Sequence, residues 1–132
     1  MAANPIFPGT LKNAVARLSS TTLTTLLTGG TSGSKVESIA VTNTYTAAYT
    51  AKLYVTYGGT DYLLGTVSVP LSAGNTTSAV TFDLLSSSQL PFVRSDEAGR
   101  KYLYLESGYT LKAQLSSYTS GNVDFFLQYG DF

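Results

Sequence analysis

The sequence predicts an all-β chain: a single antiparallel β-sandwich, jelly-roll-like, of about eight strands behind an extended N-terminal arm. Three observations predict it. Apolar and polar residues alternate with period two, as in Leu53, Val55 and Tyr57 along 52–57 and in Val80, Phe82 and Leu84 against Thr81 and Asp83. Such alternation marks a half-buried strand. Aromatic residues, which with the β-branched ones fit a pleated surface, number 10 Tyr and 6 Phe among 132 residues. Glycine-bearing turn signals recur at fairly even intervals, at 28–33, 57–61, 73–75, 106–108 and 120–122. Many short strands with regular turns imply two packed sheets. A small closed barrel is the alternative.

Residues 1–18 read as the arm and 19–132 as the sandwich domain. Pro5 and Pro8 bracket Phe7; proline fixes φ and removes a donor, which favours extended chain. Leu11 to Leu18 has the spacing for one or two short helical turns. Strands are expected near 20–28, 35–43, 50–57, 61–69, 78–85, 101–105, 109–117 and 122–130. The Gly58-Gly59 pair between two alternating runs is the clearest hairpin. In 35–41, Val36 stands three before Ile39, so strict alternation would put them on opposite faces. Either a β-bulge near Glu37-Ser38 restores the register, or Val36 sits at the strand's edge. The polar stretch 86–100 interrupts the pattern, with a 3₁₀ turn expected around Ser86–Ser88. Tyr57, Phe82 and Phe125 fall on apolar faces and read as core.

Composition excludes several functions. Eight Lys+Arg balance eight Asp+Glu, only 12% of residues are charged, and no basic patch for nucleic acid is visible. No run of 18 apolar residues offers a helical span. Met1 to Pro5 lacks the basic start and apolar core of a secretory signal, so synthesis in the cytoplasm is expected. The chain has no His and no Cys. That removes His-dependent triads, His-based zinc sites, thiolate nucleophiles and disulfides. The expectation is a structural or binding protein, not an enzyme, with no cofactor and no metal.

The remaining motifs agree. Gly29 to Val36 has Ser34 and Val36 where a phosphate loop needs Gly and Ser or Thr, and a strand follows instead of a helix. It reads as a flexible hairpin. The acids are scattered, and the densest spot, Ser95-Asp96-Glu97, is flanked by Arg94, Arg100 and Lys101. Those cations are expected to pair with the acids instead of admitting a divalent ion. Asn75-Thr76-Thr77 matches a glycosylation sequon but reads as a polar hairpin. Tyr45 and Tyr49 flank a connection, while Tyr102 and Tyr104 face away from Leu103 and Leu105. Exposed Tyr suits a protein interface before a sugar platform, with cross-strand packing as the alternative.

The segments Lys35 to Thr44, Leu53-Tyr54-Val55, Leu64 to Gly74 and Leu105 to Ala113 follow a Pro-containing arm. Over about residues 20 to 130 this pattern resembles small tailed-bacteriophage virion proteins. The resemblance implies a capsid decoration (cement) protein on the outer surface of the virion head. Its implied partners are the major capsid protein or other virion proteins, and further copies of itself, a trimer being favoured. No catalytic residues carry over. The charged loop from Arg94 to Lys101 departs from the shorter versions. The expected interface residues are Ile6 and Phe7 in the arm, Tyr45 and Tyr49 as aromatic contacts, and Arg94 and Arg100 at a polar rim. A neck, tail or fibre-attachment protein is the alternative, and a carbohydrate-binding module a more distant one.

Overall fold

Period-two segments become strands where a distant segment pairs with them. The computed structural model describes residues 9–132; the arm residues Ile6 and Phe7 lie outside the described residues. Ten strands form: β1 (Thr10–Leu18), β2 (Thr24–Thr28), β3 (Ser34–Asn43), β4 (Tyr49–Tyr57), β5 (Thr60–Val69), β6 (Phe82–Asp83), β7 (Arg94–Ser95), β8 (Lys101–Leu105), β9 (Thr110–Leu115) and β10 (Val123–Asp131). One sheet, A, runs β1-β10-β3-β8-β7, with β6 also on β3; the other, B, runs β2-β9-β4-β5. Every pairing is antiparallel. Among the eight longer strands the pairs include first with eighth, second with seventh, third with sixth and fourth with fifth. The chain is thus an antiparallel sandwich in which one long hairpin is wrapped into two layers.

Inward rows from both sheets meet in one core. Sheet A contributes Leu18, Ile39, Val41, Val123, Phe125 and Leu127; sheet B contributes Leu53, Val67, Val69, Leu111 and Leu115, all essentially inaccessible. Burying each such side chain stabilises the fold by about 1.5–3 kcal/mol relative to exposure. Of the two readings open for Val36, a bulge or a place at the strand's edge, β3 has the bulge. Gln128 pairs with Ser38 but Tyr129 with Val36, so Glu37 is the extra residue and both Val36 and Ile39 turn inward. The Gly58-Gly59 turn joins Tyr57 to Thr60 with φ of 61° and 80°. Two positive φ values in a two-residue loop match the twist of the strands it links.

Four expectations change. Thr10–Leu18 is neither arm nor helical turns but a strand paired with β10 along its whole length. The strand expected over 78–85 shrinks to Phe82–Asp83 and passes into a 3₁₀ turn at Leu84–Ser86, leaving Val80 81% exposed. The connection 29–33 is no hairpin: it carries the chain from sheet B to sheet A. Tyr57 continues the inward row of β4 but lies 49% exposed, where it stacks on Tyr109 with ring centroids 4.3 Å apart.

Candidate interaction surfaces

At one end of the sandwich, the buried Asn43 organises the β3–β4 connection. Its amide nitrogen donates to the carbonyls of Ala47 (3.0 Å) and Pro70 (3.1 Å), and its oxygen accepts from the Tyr45 amide. Tyr45 then stacks on Tyr49, centroids 5.1 Å apart, and Tyr49 on Tyr118. The Tyr49 hydroxyl accepts from the amides of Thr119 (3.1 Å) and Ser120 (2.9 Å) and donates to the Ser120 carbonyl. Tyr49, expected at an interface, is therefore an internal staple only 4% exposed. Its phenol is taken up by the β9–β10 connection. Tyr45 remains half-buried above it.

A second feature arises where β3 forks. Its outer edge pairs with β8 through Ser34–Val36 and with β6 through Ala40–Val41, leaving the bulged stretch between them unpaired. A cleft of about 350 Å³ opens there, lined by three cations (Lys35, Arg100, Lys101) and three acids (Glu37, Asp83, Asp96). The charges compensate one another. Lys35 is 5% exposed, 3.7 Å from Glu37 and over the Tyr102 ring at 5.1 Å. Asp96 accepts from the amides of Ala98 and Arg100, both at 2.9 Å, and from the Arg100 guanidinium at 3.2 Å. The Arg100 amide, with the guanidinium charge and the Ala98 amide, holds the Asp96 carboxyl below the usual carboxylate range. Arg100 thus pairs with an acid, as its flanking position suggested. Arg94 is exposed on β7 opposite Tyr102.

The outward face of sheet A is the third feature, and sequence reasoning missed it. The register sets Val15 of β1 beside Phe126 of β10, and Phe126 beside Ala40 of β3. Val15 is 76% exposed, Phe126 41%, and Leu11 along the same edge 76%. Val15, Ala40 and Phe126 flank a groove of about 420 Å³ bordered by Arg17, Thr42 and Asp124. Arg17 grips Asp124 with Nε to Oδ1 at 2.7 Å and Nη2 to Oδ2 at 2.9 Å. On sheet B the outward row across β4 and β9 is polar instead, with Lys52 beside Gln114, Tyr54 beside Lys112 and Thr56 beside Thr110. One signal for the apolar face was present: Phe125-Phe126-Leu127 are consecutive, and in a strand one of three must point outward.

No family model, no curated protein and no solved structure matches this chain.

Proposed function

We propose that this chain is a structural protein of a bacteriophage virion: a capsid decoration (cement) protein that binds the assembled head and bridges neighbouring major capsid subunits. It acts without catalysis or cofactor, on the outer capsid surface. The wrapped-hairpin pairing of its eight longer strands is read here as a jelly roll, an architecture used by viral capsid domains. That likeness of fold is only an analogy. The observation that carries the reading is the asymmetry of the two outer faces. Sheet B is polar across β4 and β9 and exposes Leu63 only on its edge strand β5, while sheet A sets Val15 and Phe126 side by side with a charged rim at Arg17 and Asp124.

An apolar centre with a polar border is the anatomy of a protein-docking surface. A ligand that binds only the assembled shell stabilises it by mass action, RT ln(1 + [L]/Kd). The purified protein should therefore bind undecorated phage capsids saturably, at positions repeated over the whole lattice. Occupancy confined to one vertex or to the tail would move the protein to the neck or tail. No binding by folded protein to any virion part would overturn the reading.

A further inference from the structure

Among the described residues the two sheets end in five edge strands: β1, β7 and the short β6 in sheet A, β2 and β5 in sheet B. An edge strand offers unpaired backbone groups to another chain, and proteins blunt such edges by shortness, bulges, covering loops or outward charges. Four of the five are blunted. β6 and β7 have two residues each, and β2 has five with a register shift between Thr25 and Leu27. β5 is long, but its pairing shifts where Leu53 meets Gly65 and Tyr54 meets Leu63, and the Gln89 side chain takes the Ser68 amide at 2.8 Å.

β1 is neither short nor bulged, and its charges are held in ion pairs with β10. It is nine residues long, its register with β10 is unbroken, and it contains no proline. Among the described residues nothing pairs with its other side. Its two cations are drawn toward β10: Lys12 lies 2.8 Å from Asp131 and Arg17 2.7 Å from Asp124. What remains along the strand is Thr10, Leu11, Asn13, Ala14, Val15 and Ala16, with Leu18 buried in the core.

We infer that β1 pairs antiparallel with β1 of a second copy of this chain, about a two-fold axis at Asn13. In an antiparallel pair, residues directly opposite share a face. Centring the axis on Asn13 sets Leu11 opposite Val15 of the second copy, twice. It sets Lys12 opposite Ala14 and Arg17 opposite Gly9, so no like charges meet directly. Centring on Ala14 would instead oppose Leu11 to Arg17. The Asn13 register is therefore the self-complementary one, and it joins sheet A of both copies into one continuous sheet. The apolar faces of the two copies then lie side by side. Pairing through one strand is a small contact, at the weak, transient end of protein interfaces. A trimer would need a different contact.

Self-pairing belongs to the free protein and is read without capsids. Sedimentation equilibrium of the full chain should show a monomer–dimer equilibrium, and Val15→Lys should hold it monomeric with its melting temperature unchanged. The chain has no native Cys, so an introduced one reports its own neighbour. Oxidised Asn13→Cys should form disulfide-linked dimers at least about tenfold faster than Tyr62→Cys on β5, because pairing raises the effective thiol concentration. A chain that stays monomeric at millimolar concentration, a trimer, or Asn13→Cys cross-linking no faster than Tyr62→Cys would overturn the inference. The cross-linking arm decides the matter even if Val15→Lys proves unstable.

Discussion

The Lys12 ammonium lies 2.8 Å from Asp131 Oδ2, joining the first strand to the last across 119 residues. Asp131 also accepts from the Ser34 hydroxyl at 2.6 Å, and Ser34 in turn accepts from the Gly30 amide at 2.9 Å. One carboxylate thus ties β1, β10, β3 and the β2–β3 crossing together. Donation from Lys12 and then Ser34 holds Asp131 below the usual carboxylate range.

That shift fixes the sign of an acid response. A carboxylate whose folded pKa is depressed contributes stability that is present above its unfolded value and is lost as the pH falls through the folded one. Asp96 is depressed in the same direction. Thermal stability should therefore decline as the pH is taken below about 4, the ordinary aspartate range. Asp131→Asn should lower stability at neutral pH and flatten the acid limb. Melting temperatures of both proteins across this range check it, and parallel acid limbs would contradict it.

Tyr49→Phe removes a single oxygen from the staple but leaves the amides of Thr119 and Ser120 without it. A hydrogen bond of this kind contributes about 0.5–1.5 kcal/mol net. The variant should unfold at lower denaturant with an unchanged m-value, and its 117–121 amides should exchange faster with deuterium. Unaltered exchange there would remove the staple from the account.

Gly33 has φ of +91° and packs against the Tyr104 ring, so an added Cβ would meet both backbone strain and the aromatic side chain. Gly33→Ala should cost about 1–3 kcal/mol in chemical denaturation. Phe125→Ala, in the centre of the core, should cost more, about 3–5 kcal/mol. A reversed order would mean that the crossing, not the core, limits stability.

Much of the fold was legible because it is written in local pattern. The three-residue step from Val36 to Ile39 marked where a bulge or a strand end must fall, and Gly58-Gly59 announced its hairpin. β1 was not legible. Leu11, Val15 and Leu18 repeat at helical spacing, and only pairing with β10, more than a hundred residues on, makes them a strand. Tyr49 shows the same limit at the candidate site. Its partners Thr119 and Ser120 are about seventy residues away, so nothing nearby distinguished an internal staple from an exposed aromatic. Val80 kept its alternation but is exposed, since β6 pairs with β3 only through Phe82 and Asp83.

The central claim is that the outward face of sheet A docks on a capsid. Phe126 and Ala40 lie on that face but off the β1 edge, so changing them separates shell binding from self-pairing. The measurement is co-sedimentation of undecorated phage capsids with the native chain and with a Phe126→Lys, Ala40→Lys variant of matched melting temperature. The account predicts saturable lattice binding by the native chain and its loss in the variant. Equal binding by both, or none by the folded native chain, would contradict it.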